Sequence, residues 1–186
     1  MAIGRAATLL DSVEAGLHLR EPKQLNHRLG GIGQNEPGSR EGSQRQLLRP
    51  KAGETRSIGN GELKWQEVAQ EDCVSDFNAI LGRVTPLSVA CAVCYVRSEA
   101  EQRGLRMLVG SDDEAKVYLN GKQVHKSPFA GGFVADQDTV PDIALKAGLN
   151  VLVFKVVNEF GEWQGSIRLT DAQGNPVKGI KVSLTP

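Results

Sequence analysis

The residues with the clearest chemical potential are adjacent carboxylates and closely spaced thiols. Asp112 and Asp113 follow Ser111 at the entrance to an alternating apolar stretch. Paired carboxylates can serve acid/base hydrolysis, but neighbours at a strand entrance are poorly placed to flank a bond across the roughly 5–9 Å that such chemistry requires. Aspartates also cap turns by accepting hydrogen bonds from nearby backbone N–H groups, and a turn is expected here. The thiols are Cys73, Cys91 and Cys94, and Cys91-Ala92-Val93-Cys94 has the short spacing of redox and zinc motifs. Its surroundings are rich in β-branched and small apolar residues and read as a strand, in which residues three apart point to opposite faces. No second pair or downstream histidine pair completes a zinc site. Buried thiols acting as small core hydrophobes are the expectation.

Other motifs fall away on context. Gly30-Gly31-Ile32-Gly33 has the glycine density of a phosphate-cradling loop, but a dinucleotide site needs a strand before it and a helix after it. Glu36-Pro37-Gly38 follows instead and ends regular structure. His18 and His27 lie in the weakly patterned N-terminal part and read as solvated side chains, and His125 reads as a surface or strand-end histidine. Twenty-two basic residues balance 22 acidic ones, so no global field draws the chain to nucleic acid or an anionic membrane. No apolar run approaches the roughly 18 residues of a membrane span. Asp11 and Glu14 interrupt what a secretory leader would keep apolar, so no export address is expected within these residues.

The elements that must position these residues divide the chain unequally. Leu9, Leu10, Val13 and Leu17 share one side of a short helix expected within residues 1–19. Between residues 20 and 60 the apolar content collapses into Gly, Pro, Gln, Arg and Ser, which predicts a flexible linker and a largely disordered N-terminal segment. From residue 61 to 186, short apolar runs are separated by Gly, Asn, Asp and Pro, predicting an all-β domain. Strands are expected near Leu63–Val68, Leu87–Val96, Leu105–Val109, Ala115–Leu119, Gln123–His125, Val140–Leu145, Val151–Val157, Ser166–Thr170 and Ile180–Leu184. Asn120-Gly121 suits the positive φ angles of a tight hairpin. Val117, Leu119, Ile167 and Leu169 are predicted inward, and Leu152, Phe154 and Val156 should anchor half of the core. Val151–Val157 is apolar on both faces except at Lys155, the pattern of a central strand. Hairpin-linked short strands of this kind fit an antiparallel β-sandwich or jelly roll.

The block from Ser111-Asp112-Asp113-Glu114 through Val117-Tyr118-Leu119-Asn120-Gly121 to Val124 resembles the central hairpin of galactose-binding-like β-sandwich modules. The likeness continues through Asp136-Gln137-Asp138, Leu145–Val156 and Gly161-Glu162-Trp163, and covers residues 60–186. Bacteria append such modules to glycoside hydrolases and other large, usually exported proteins, so the resemblance implies an extracytoplasmic parent protein. The Ser-Asp-Asp hairpin also resembles the protective-antigen-type sugar-binding domain. In adhesins of that group adjacent aspartates hold calcium, and calcium holds sugar hydroxyls. That likeness implies calcium as the cofactor, with Asp112 and Asp113 as ligands and Asp136 and Asp138 joining them if the fold brings them near. Calcium takes six to eight oxygen ligands, and carboxylates suit it. The chain departs from the adhesin pattern in lacking a recognisable loop to complete that shell.

Carbohydrate contacts would then come from Asp112, Asp113, Tyr118, Asn120 and Trp163. An exposed Trp163 could stack on a sugar ring, whereas a buried one would fill the core, as Trp65 is expected to do. Two functional classes share the predicted fold. One is a non-catalytic accessory module that recognises carbohydrate; the other is a structural module that docks on neighbouring domains of a larger exported protein without any small ligand. An independent hydrolase lacks a nucleophile–base motif in this sequence.

Overall fold

A computed structural model of the chain describes residues 5–9, 49–58, 61–69 and 73–186. The motifs at residues 18, 27 and 30–33 lie outside these. Four strands come first: β1 (Arg5–Leu9), β2 (Thr55–Ile58), β3 (Gly61–Lys64) and β4 (Gln66–Ala69). The sandwich follows, with β5 (Val74–Asp76), a short helix α1 (Phe77–Leu81), β6 (Ser88–Ser98), β7 (Gln102–Ser111), β8 (Ala115–Leu119), β9 (Lys122–Lys126), β10 (Asp138–Leu145), β11 (Gly148–Asn158), β12 (Gln164–Thr170) and β13 (Ile180–Ser183). A four-stranded sheet has the order β10-β7-β12-β5, and a five-stranded sheet the order β13-β6-β11-β8-β9. The strands pair antiparallel throughout. This is the all-β fold that period-two burial predicts.

The alternation places side chains as expected. Ala92, Cys94, Val117, Leu119, Leu152, Phe154 and Val156 from one sheet meet Met107, Val109, Leu145, Ile167 and Leu169 from the other in a single apolar interior. Their neighbours Cys91, Val93, Tyr95, Tyr118, Val151 and Val153 face the other way and form a second cluster with Trp65. Cys91 and Cys94 therefore sit on opposite faces, both buried and both free thiols. β11 lies between β6 and β8, the central position its two-faced apolarity requires. Asn120 and Gly121 both have positive φ, 52° and 81°, as the hairpin between β8 and β9 demands.

The N-terminal part departs from its pattern. The apolar spacing predicts a short helix within residues 1–19, but residues 5–9 form a strand that pairs antiparallel with β4 and lies against β6. The rest of that predicted helix falls outside the described residues. β2 lies within the stretch read as linker and pairs with β3. Trp65 stands between β3 and β4, its N–H donating to the Glu54 carbonyl at 2.9 Å and its carbonyl accepting from Gly53 at 2.8 Å. Its ring is 1 % exposed. Edge pairing and an apolar surface to cover outweigh the weak helical spacing, since a short isolated helix gains little by itself.

The strand registers gather several connections at one end of the sandwich. Asn158 stands opposite Ser88, Lys116 opposite Lys126, Asp138 opposite Val109, Gly165 opposite Ser111 and Gln164 opposite Asp76. Residues 82–87, 112–114, 127–137 and 159–163 consequently leave the sheets at the same end.

Close packing between the sheets depends on Gly165. A Cβ there would lie 2.7 Å from Cε1 of Phe154 and 3.2 Å from Cγ2 of Val156. Overpacking of this kind typically costs about 1–3 kcal/mol. The Gly165→Ala variant is therefore expected to unfold at a lower urea midpoint with an unchanged slope; a midpoint equal to that of the parent would show that the interface relaxes freely.

Candidate functional site

Backbone bonds clamp the two aspartates into this end. The Asp112 N–H donates to the Gln164 carbonyl at 2.9 Å and the Asp113 N–H to the Val157 carbonyl at 2.8 Å, while Val157 N–H returns to the Glu114 carbonyl at 2.8 Å. The peptide between the aspartates is cis. Oδ2 of Asp113 accepts from the Glu159 N–H at 2.6 Å, and the Asp112 carboxylate accepts from the backbone N–H of Phe133. Two serines join neighbouring loops: the Ser111 and Ser127 hydroxyls are 3.3 Å apart, and Ser127 Oγ accepts from the Ala115 N–H at 2.9 Å. The Asp113 side chain therefore bonds across to another connection, 46 residues away, rather than capping its own turn.

The same geometry concentrates negative charge. Asp112, Asp113, Glu114, Glu159 and Glu162 all lie in the loops of this end. Burial pushes the Asp112 carboxyl up to about 6, and the charges of Asp113 and Glu162 add to it against the opposing Phe133 N–H. Glu159 is also raised, first by burial and then by Asp113 and Glu114. An ionised cluster of this kind favours a cation or a donor-rich ligand.

The exposed apolar side chains occupy the same loops. Among the described residues the large hydrophobics that face solvent are Val84 at 67 %, Phe129 at 68 %, Val134 at 59 % and Phe160 at 70 %. Each belongs to one of the connections at the Asp112–Asp113 end. The loop carrying Phe129 and Val134 also crosses β7 closely: a Cβ on Gly110 would lie 2.4 Å from the Val134 carbonyl and 3.1 Å from the Phe133 ring. Arg168 pairs with Asp136 and pins the far side of this loop to β12.

The other residues read from sequence lie elsewhere or are already engaged. Trp163 is 0 % exposed and packs on Phe77 with ring centroids 5.2 Å apart, so it offers no face to a sugar. Tyr118 is 7 % exposed on the outer face of the five-stranded sheet, with Lys155 Nζ 5.1 Å from its ring centroid. Asn120 lies at the opposite end, where it donates to Asn150 Oδ1 at 2.8 Å and accepts from the Val151 N–H at 3.0 Å. Its role there is to tie the hairpin to β11. Asp136 is held by Arg168, and Asp138 stands 3.2 Å from His125 Nε2. The four aspartates therefore do not form one ligand set, and among the described residues no three His, Cys, Asp or Glu side chains converge as a metal cage. His125 is mostly buried rather than a surface histidine; burial lowers its pKa, and Asp138 partly restores it. Phe129 and Phe160 were not singled out from sequence, although large apolar residues beside glycines in Phe129-Ala130-Gly131-Gly132 and Phe160-Gly161 were a usable signal.

Asp112 has a definite pH signature. Its folded-state pKa is raised from 3.8 to about 6, so its contribution to stability is complete below 3.8 and is lost as pH rises through about 6. The Asp112→Asn variant, measured in chelator, is expected to gain melting temperature relative to the parent as pH rises across that window. A difference that stays constant with pH would contradict the buried, charge-crowded setting of Asp112.

No protein-family model matches the chain, and no curated protein matches it either. Solved structures provide distant matches. One is a family 35 carbohydrate-binding module from an environmental isolate, at 23% identity over 55% of this chain and 77% of that one, with a TM-score of 0.39. Another is the PA14 domain of the MpAFP antifreeze protein, at 14% identity over 66% of this chain and 59% of that one, with a TM-score of 0.39. A third is the PA14 sugar-binding domain of an RTX adhesin, at 17% identity over 62% of this chain and 55% of that one, with a TM-score of 0.38. The chain spans less than two thirds of the two PA14 structures.

Proposed function

We propose that this chain is an accessory β-sandwich module of a larger exported protein, and that it binds carbohydrate at the end carrying Asp112 and Asp113. The observation that carries this reading is the coincidence of exposed apolar side chains and crowded carboxylates on one set of loops. A sugar ring has an apolar C–H face that suits an exposed aromatic ring, and hydroxyls that donate to carboxylates. Phe129 and Phe160 are the aromatic platforms in this arrangement, in place of the buried Trp163.

Calcium fits the donor set in part. The carboxylates of Asp112 and Asp113 are hard oxygen donors at adjacent positions; burial is the main cause that raises the Asp112 pKa, and the neighbouring Asp113 and Glu162 charges, which add to it, are what a divalent cation would offset. Two protein carboxylates leave much of a six-to-eight-oxygen shell to carbonyls, water and sugar hydroxyls. Calcium bound there would supply a positive centre for vicinal hydroxyls, and the protein's part is to hold the two carboxylates rigid through Val157, Gln164 and Glu159.

One observation favours a second reading, docking on a protein partner. Both tryptophans and both tyrosines are buried, between 0 % and 7 % exposed, which among the described residues leaves valine and phenylalanine as the large exposed apolar contacts. A glycan array probed with and without calcium separates the two. Binding is expected to require calcium and to weaken about tenfold in Phe129→Ala or Phe160→Ala, the loss of roughly one stacking contact. Silence on the array in both conditions, together with an unchanged melting temperature on adding calcium, would remove the carbohydrate reading and leave docking.

A further inference from the structure

A small, partly open cleft of about 30 Å³ lies between the sheets, lined on one side by Cys73, Ser75, Gly165 and Ile167 and on the other by Cys94 and Phe154. Two of the three thiols of the chain therefore face one space. The register explains why. β12 pairs with β5 so that Gly165 stands opposite Ser75 and Ser166 opposite Val74. One step further sets Cys73 level with the inward-facing Ile167. In the other sheet Cys94 stands opposite Leu152, also inward-facing. The lining is small where Ser75 and Ala92 contribute to it, whereas Gly165 is itself packed against Phe154. Cys91 has no access to this space, since it faces the outer cluster around Trp65.

We infer that Cys73 and Cys94 form a latent dithiol pair that closes into a disulfide bridging the two sheets when the protein meets an oxidising environment. Bridges between the facing sheets of a sandwich are compatible with the fold, as the inter-sheet disulfide of antibody domains shows. The order of events follows from exposure. Cys73 is half-buried and Cys94 is buried, so Cys73 meets an external oxidant first. With oxidised glutathione, the Cys73 thiolate attacks one sulfur and releases one glutathione thiolate. The Cys94 thiol then loses its proton and attacks the Cys73 sulfur of the mixed disulfide, releasing the second glutathione. Two protein thiols are oxidised and one glutathione disulfide is reduced to two thiols. Burial pushes the Cys94 thiol up to about 12, so the second step is the slow one and quickens as pH rises.

The test equilibrates the full chain with oxidised glutathione and reads intact mass, thiol count in denaturant, peptide linkage and melting temperature. The pair is supported by loss of two hydrogens, a fall from three free thiols to one, and a Cys73–Cys94 linked peptide. It is further supported by a rise of about 5–10 °C in melting temperature that dithiothreitol reverses. Cys91→Ala must retain the bridge, and Cys73→Ala, altered at a half-buried position the fold tolerates, must abolish it. Three thiols surviving oxidation, a glutathione adduct that stays on Cys73, or linkage through Cys91 or to a second molecule would each overturn the inference.

Discussion

β11 is the strand on which the rest of the structure depends, because it is apolar on both faces and must be covered twice. Leu152, Phe154 and Val156 face the four-stranded sheet, and Val151 and Val153 face the cluster around Trp65. Burying one such side chain is worth roughly 1.5–3 kcal/mol, so leaving either face bare would cost several of them at once. The first face requires a sandwich. The second explains why β1 lies against β6 and why Trp65 is buried beside Cys91 and Tyr95. Lys155, 1 % exposed on that outer face, is the polar exception, and burial lowers its pKa.

The fixed position of β11 sets the character of the loops at its far end. Asn158 closes the strand, with its side-chain amide donating to the Thr85 carbonyl at 2.7 Å, and Glu159 reaches Asp113 through its N–H. Backbone pairing alone thus brings residues from separate connections into one charged neighbourhood. The crowding works against stability, since Asp112 is held in a setting that disfavours its charge. Exposed phenylalanines nearby add no packing to the fold. Features that oppose or ignore stability and share one location are those expected of a binding surface.

Much of this was legible because strand alternation is a local signal. The inward set on β8, β11 and β12 and the opposed thiols of Cys91 and Cys94 followed from period two alone. The elements that escaped are those with too little sequence to show a period. β5 has three residues and α1 five, and α1 is defined mainly by Asp76 accepting from the Ala79 N–H at 2.9 Å and by Gly82 at positive φ. β1 was misjudged because its apolar spacing also fits a helix, and only the partner strand decides between them. At the candidate site, Asp112 and Asp113 were located by their place before a strand. Residue type leaves Trp163 open between sugar stacking and core packing, and burial decides for the core; Asn120 lies at the far end of the sandwich, tied to Asn150 and Val151. The likeness to calcium-holding adhesins joins Asp136 and Asp138 to the first pair only if the fold brings them near, whereas their actual partners, Arg168 and His125, come from other strands.

On the proposed function, the sandwich is a rigid frame whose loops at the Asp112–Asp113 end would meet the ligand. Amide NMR during a calcium titration tests it most directly. The account predicts resonance shifts concentrated in residues 82–87, 112–114, 127–137 and 159–163, with the Phe133 and Glu159 amides that bond to the aspartates among the most affected. Shifts centred on the outer face around Tyr118 and Lys155, or none at millimolar calcium, the weak end of known protein sites, would contradict it.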